Sequence, residues 1–144
     1  MRSRVFALAM ALTLTACSAA QSDETALYDS TGTPVAYIAA DLTIYLWSGK
    51  PVAYLYSGNR GTDVYGFNGK HLGWFEKGYV RDADGDATCG LKSVIRSPKL
   101  EPIKSLKELK PLKSLRELPP LKRTSSLEWA DTPCKIALAL GADN

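Results

Sequence analysis

One ten-residue pattern recurs along the chain, and its recurrence constrains the fold more than any other feature. Tyr28-Asp-Ser-Thr-Gly32-Thr-Pro-Val35-Ala-Tyr37 matches Tyr45-Leu-Trp-Ser-Gly49-Lys-Pro-Val52-Ala-Tyr54 and Tyr65-Gly-Phe-Asn-Gly69-Lys-His-Leu72-Gly-Trp74. Arg81-Asp-Ala-Asp-Gly85-Asp-Ala-Thr88-Cys-Gly90 is a weaker fourth copy. Each unit sets a glycine between two segments of alternating character, the mark of a β-hairpin with φ > 0 in its turn. With Thr31-Gly32 as a two-residue turn, Tyr28 opposes Val35 and Leu27 opposes Ala36. One face of the four units then carries Leu27, Ile44, Val64 and Val80, the small residues Ala36, Ala53, Gly73 and Cys89, and Ile38, Leu55, Phe75 and Leu91. A row of small residues suits strands crowded around an axis. The opposite face carries Tyr28, Tyr45 and Tyr65 with Val35, Val52 and Leu72, and Tyr37, Tyr54 and Trp74 outside them. An apolar face of that extent is either covered or binds something, so Tyr28, Tyr37, Tyr45, Tyr54, Tyr65 and Trp74 form a candidate aromatic binding face.

The Tyr-x-x-x-Gly-x-x-Val-Ala-Tyr units, and the stretch Val64-Tyr65-Gly66-Phe67-Asn68-Gly69-Lys70-His71-Leu72-Gly73-Trp74-Phe75, resemble the four-fold β-flower family of secreted bacterial domains. The resemblance covers residues 26–92. It implies an all-β class, with four repeated β-hairpins set like petals around a pseudo-fourfold axis. It implies no activity, cofactor or site residue, and a fold alone licenses none. The fourth copy departs from the pattern, with Arg81 in place of tyrosine and Gly90 in place of the aromatic.

A second periodicity follows the hairpins. Leu100, Ile103, Leu106, Leu109, Leu112, Leu115, Leu118 and Leu121 recur every three residues, interleaved with Pro98, Pro102, Pro111, Pro119 and Pro120. An α-helix would smear such a row around its cylinder, and the prolines would interrupt it. Polyproline II, with three residues per turn, keeps the row on one side. A nine-residue repeat lies on top: Pro102-Ile-Lys-Ser-Leu-Lys-Glu-Leu-Lys110 matches Pro111-Leu-Lys-Ser-Leu-Arg-Glu-Leu-Pro119. Each copy contains Ser-x-x-Glu, a capping-box pattern. The expectation is an extended Pro/Leu/Lys-rich tail with short helical turns, its aliphatic row laid against the hairpins. Residues 99–123 hold eight basic and three acidic side chains, so the opposite side of the tail is a basic, solvated face.

The first residues read as an address. Arg2 and Arg4 precede the apolar run Val5 to Leu14, too short to span a bilayer. Leu14-Thr15-Ala16-Cys17 resembles the lipobox of bacterial lipoproteins, in which the cysteine is lipidated and becomes the first residue. Ser18-Ala19-Ala20 offers ordinary signal cleavage as the alternative, which would leave a soluble periplasmic or secreted protein. Under the lipoprotein reading, Ser18 directs the protein to the outer membrane, lipid-anchored through Cys17 and facing the periplasm. The plan is a signal peptide at 1–16, a lipidated linker at 17–25, the hairpin domain at 26–94, the basic tail at 95–123 and a C-terminal segment at 124–144. Cys89 and Cys134 then remain in an oxidising compartment, either as a disulfide or as two buried free thiols. Trp129 is expected to anchor the last segment, and Ile136 to Leu140 to form a short strand or helix.

Little in the chain points to chemistry. A formal net charge of +3 is too small for nucleic-acid binding by phosphate neutralisation. Asp82, Asp84 and Asp86 match the opening of an EF-hand loop, but its closing glutamate is missing and Gly85 already serves the fourth turn. His71 occupies a strand position. No metal or cofactor is expected. Two function classes stand: a non-catalytic envelope lipoprotein whose hairpin domain binds an envelope protein or glycan or serves a structural role, and an envelope-polymer hydrolase using Asp63 and Glu76.

Overall fold

The computed structural model describes residues 23–142. The expected signal peptide, Cys17 and most of the linker lie outside the described residues. Eight strands run β1 (Thr25–Tyr28), β2 (Pro34–Ile38), β3 (Thr43–Leu46), β4 (Pro51–Gly58), β5 (Gly61–Gly66), β6 (His71–Glu76), β7 (Tyr79–Arg81) and β8 (Ala87–Leu91). Every strand pairs antiparallel with its sequence neighbours. β1 pairs with β8 through Leu27↔Leu91 and Tyr28↔Gly90, which closes the sheet into a barrel and leaves no free edge. Each repeat unit forms one hairpin: β1–β2, β3–β4, β5–β6 and β7–β8.

The turns are one residue longer than a two-residue hairpin. Asp29 N–H donates to Thr33 O and Gly32 N–H donates to Asp29 O, so Asp29 to Gly32 make a turn ended by glycine at φ 80°. Gly49, Gly69 and Gly85 repeat this at φ 90°, 86° and 89°. Thr31, Ser48, Asn68 and Asp84 are absent from the positive-φ residues, which excludes the two-residue type with two such positions. The extra residue leaves a bulge in every hairpin, after Leu27, Ile44, Val64 and Val80. Leu27 still opposes Ala36, but Tyr28 opposes Pro34 rather than Val35. The residue left over is Val35, and in later units Val52, Leu72 and Thr88. A bulge turns its extra side chain toward its neighbour's side of the sheet. Val35, Val52 and Leu72 therefore join the core, not the aromatic face where strict alternation places them.

The core holds Leu27, Ala36, Ile38, Ile44, Ala53, Val64, Val80 and Cys89, with Leu55, Phe75 and Leu91 against it. The C-terminal segment completes it. Helix α1 (Cys134–Ala139) brings Cys134 and Leu138 into the same cluster, followed by Ala142. Asn68 fastens this plug by donating from Nδ2 to Leu140 O at 2.8 Å and to Ala142 O at 3.3 Å. Cys89 and Cys134 are joined in a disulfide, with Cα atoms 5.0 Å apart. Trp129 lies in a bridge beside Ala87 and packs edge-on to Tyr79 at 6.0 Å.

The tail forms a belt that visits all four petals in order, and it inverts the expected packing. Lys99, Glu108, Glu117 and Ser126, nine residues apart, donate their backbone N–H groups to Gly32, Gly49, Gly69 and Gly85 O at 2.8–3.0 Å. No helical turn occurs between residues 99 and 126; the Ser-x-x-Glu segments are extended. The eight aliphatic side chains do not lie against the barrel. They are 84–98% exposed. The cations face inward instead.

Two expectations follow. A Cβ at Gly69 would overlap the Leu115 carbonyl, whereas a Cβ at Gly61 (φ 124°) meets nothing within 4 Å. Gly61→Ala should cost backbone strain alone, about 1–3 kcal/mol. Gly69→Ala should cost more in urea denaturation and, unlike Gly61→Ala, should open residues 106–121 to protease. Cys134→Ser removes a cross-link between residues 45 apart and should destabilise the protein by about 4 kcal/mol on the chain-entropy estimate, read as a lower denaturation midpoint that reductant does not lower further.

Candidate functional site

The outer face of the barrel carries the six rings singled out from sequence, but it is not an open binding face. Tyr28, Tyr37, Tyr45, Tyr54, Tyr65 and Trp74 are all 5% exposed or less. Belt cations stand over four of them, Tyr37, Tyr45, Tyr54 and Tyr65. Lys104 Nζ lies 4.8 Å from the Tyr37 ring centroid and 5.2 Å from that of Trp47. Lys107 lies 5.4 Å from Tyr45, Lys113 lies 4.1 Å from Tyr54, and the Arg116 guanidinium lies 3.9 Å from Tyr56. A ring face carries negative charge density, which attracts each of these cations. Ring hydroxyls and indole add hydrogen bonds to the belt: Tyr28 donates to Glu101 at 3.1 Å, Tyr65 to Glu117 O at 2.9 Å, and Trp47 Nε1 to Pro102 O at 3.2 Å.

This explains why the cationic row turns inward. Extended backbone with three residues per turn presents three rows. The outer barrel face is aromatic and hydroxylated, so it offers cation–π and polar contacts that leucine cannot use. Barrel carboxylates fix the same row further. Glu24 accepts from Lys104 at 2.9 Å and Lys107 at 2.5 Å, Asp41 accepts from Lys110 at 2.6 Å, and Glu76 accepts from Lys122 and Ser125. With the cations held inward, the aliphatic row must point away.

The third petal breaks the pattern. In register, Asp63 opposes Trp74 at the place where other petals pair Ala26 with Tyr37 and Thr43 with Tyr54. His71 opposes Tyr65 where Pro34 and Pro51 stand elsewhere. Its Nε2 lies 2.9 Å from Asp63 Oδ1, and its backbone N–H donates to Glu117 Oε1 at 2.7 Å, a bond that no proline could make. The His71 ring packs against Tyr65 and Trp74 at 5.1 and 4.7 Å. Beside this group, β4 and β5 extend as a hairpin beyond the barrel, paired as far as Gly58↔Gly61. Hairpin and belt enclose a pocket of about 440 Å³, lined by Tyr56, Arg60, Asp63, Trp74, Pro119 and Pro120 among others.

The two carboxylates proposed from sequence are not a matched pair. Asp63 is held by His71 in this pocket. Glu76 lies under Lys122, Ser125 and Arg81 Nε at 3.8 Å. Hydrogen bonds from Lys122 and Ser125 hold the Glu76 carboxyl below the usual range against the opposing effect of burial, and the Lys122 and Arg81 charges add to them. The extended hairpin and the Asp63–His71 pair were missed as a site. Their only sequence signal was that His71 replaces the repeat's proline.

The belt's carboxylate contacts give it a pH dependence. The Lys110 hydrogen bond, with Thr43 adding to it and burial opposing, takes Asp41 down to about 2. Burial raises Glu24, but hydrogen bonds from Lys107 and Lys104 outweigh it and leave the carboxyl below its usual range. A folded-state pKa below the unfolded one stabilises the belt at neutral pH, and that contribution disappears as pH falls through the folded value. Acidification from about pH 4 to about 2 should loosen the belt, read as falling protection factors, corrected for the intrinsic exchange rate at each pH, at the Ser105 and Glu108 amides. A belt amide profile unchanged over that window would contradict this account.

No curated protein and no solved structure matches the chain. A model of the 4-fold beta flower protein family matches residues 25–137. That span takes in all eight strands, the whole belt and the start of α1. The belt is thus part of the matched domain and not an appendage to it, and the chain belongs to the 4-fold beta flower protein family.

Proposed function

We propose that the protein is a non-catalytic, lipid-anchored module of the cell envelope that docks onto a bilayer surface through the outward aliphatic row of its belt. The observation that carries this reading is the exposure of Leu100, Ile103, Leu106, Leu109, Leu112, Leu115, Leu118 and Leu121, none below 84%. A contiguous exposed apolar surface of this size marks an interaction site. The row is also held firmly in place, because the backbone beneath it is bonded to the turn glycines.

The bilayer is favoured as the occupant by where the chain enters the barrel. Glu24 is bound to Lys104 and Lys107, which places the chain's entry beside Ile103, Leu106 and Leu109. Cys17 lies seven residues before Glu24, a tether of at most about 25 Å. An acyl anchor there keeps this arc of the belt near the membrane. Each leucine that transfers fully contributes about 1.5–3 kcal/mol, a useful supplement to an anchor. The belt cations are engaged with rings and carboxylates, so the attachment is apolar rather than electrostatic.

A hydrolytic role for Asp63 and Glu76 is disfavoured. A general acid must hold a proton near neutral pH, whereas the contacts of Glu76 favour its ionised form.

Two measurements test the proposal. Labelled palmitate should enter the wild-type protein and not Cys17→Ala; equal labelling would remove the anchor from the account. The unlipidated Cys17→Ala protein should still bind phosphatidylethanolamine/phosphatidylglycerol vesicles, and raised salt should not release it. The triple change Ile103→Ser, Leu106→Ser, Leu109→Ser should weaken that binding at least tenfold without shifting the melting temperature, since these side chains make no contact that folding uses. If the triple variant binds vesicles as well as its parent, the aliphatic row serves another partner, such as an envelope protein.

A further inference from the structure

We infer that the pocket between the β4–β5 hairpin and the belt is a binding site for a small zwitterion, an amino acid or dipeptide bearing one ammonium and one carboxylate. This goes beyond the docking function and rests on different residues.

The argument starts from the fold's own way of covering its outer rings. Lys104 stands over Tyr37, and Lys113, nine residues later, stands over Tyr54. The next residue in that series is Lys122, and the next ring is Trp74. Lys122 instead bonds Glu76, and among the described residues no cation stands over Trp74. At the same point the sheet places a carboxylate beside the ring, since Asp63 is the strand partner of Trp74. Ring and carboxylate together are what an ammonium group recognises.

The carboxylate is prepared for this. Asp63 is 9% exposed and lines the pocket. Its Oδ1 is satisfied by His71, whose side chain is 2% exposed. An ionised carboxylate only accepts, so His71 Nε2 carries the hydrogen of that bond and fixes the orientation of the group. Oδ2 makes no hydrogen bond to any described residue. Room for it comes from Gly58, where a Cβ would stand 2.6 Å from Oδ2. Oδ2 is not solvent-excluded, and on the pocket side it is left free to accept from an incoming donor.

The second charge comes from the rim. Arg60, in the exposed turn of the hairpin, lines the pocket and forms no ion pair among the described residues. Its guanidinium suits a carboxylate in two-pronged contact. An acid at the base and a base at the rim, unpaired with one another, complement a ligand carrying both charges. The remaining walls, Tyr56, Tyr65, Leu118, Pro119 and Pro120, offer apolar contact to a short side chain. A volume of about 440 Å³ holds a molecule of this size.

The test is calorimetric titration of the purified protein with four probes: dialanine, N-acetyl-dialanine, dialanine amide and N-acetylglucosamine. Dialanine should bind. Removing its ammonium by acetylation, or its carboxylate by amidation, should weaken binding about tenfold, the order expected of one charge-assisted hydrogen bond. Asp63→Asn keeps the shape and the His71 contact, and should abolish the penalty for acetylation while keeping that for amidation. Arg60→Gln, in an exposed turn, should do the reverse without changing the melting temperature. The inference is overturned if no probe binds, if N-acetylglucosamine binds as well as dialanine, or if the two substitutions leave the probe preferences unchanged. Loss of vesicle docking in the leucine variant with dialanine binding intact would separate this site from the belt's function.

Discussion

The rest of the structure depends on the carbonyl of the turn glycine. In each petal it accepts a backbone N–H from the belt, at Lys99, Glu108, Glu117 and Ser126. The belt therefore advances nine residues per petal, three turns of an extended three-residue helix. A nine-residue sequence repeat and a four-petal barrel are thus one design, because a belt of any other period would lose register after one petal. Glycine at φ near 90° is what allows this: it ends the turn, exposes the carbonyl and leaves no Cβ to obstruct the belt.

Closure of the barrel removes edges but leaves its centre to be filled. The small row Ala36, Ala53 and Cys89 lets strands crowd together, and the bulge adds Val35, Val52 and Leu72 to the core. What remains is filled by Cys134, Leu138 and Ala142 of the C-terminal segment. The disulfide to Cys89 ties this plug to the last strand. The plug, the belt and the barrel are mutually dependent: Asn68, in the third turn, holds the plug with its side chain, while its neighbours Phe67 and Gly69 hold the belt with their carbonyls.

Symmetry also organises the surface. Where repeat and belt agree, most outer rings meet a belt cation and most belt cations meet a ring or a carboxylate, and little is left to bind a ligand. Function is then best sought where the two disagree. One such place is the outward row, which the belt's inward contacts leave unused over its whole length. The other is the third petal, where Asp63, His71, a longer hairpin and Pro119 replace the repeat's ordinary residues.

The sequence by itself determined the repeat, the hairpins and the polarity of each row. Glycine punctuation and period-two alternation are local signals, and Leu27, Ile44, Val64 and Val80 are in the core as alternation requires. The three-residue period of the tail is equally local, and so was its extended backbone. The exact turn was less legible, because a glycine with φ > 0 suits both a two-residue turn and the longer one; the bulge that sends Val35 inward is visible only in the paired strands. The tertiary structure alone decided which row of the belt faces the barrel. Hydrophobicity favoured the leucines, but the surface they would meet is made of tyrosine rings and carboxylates, and it selects cations. The same holds for Cys134 and Asp63. Their partners, Cys89 and His71, come from other strands, and no local rule of spacing brings a plug to a barrel or a carboxylate to a histidine across a hairpin.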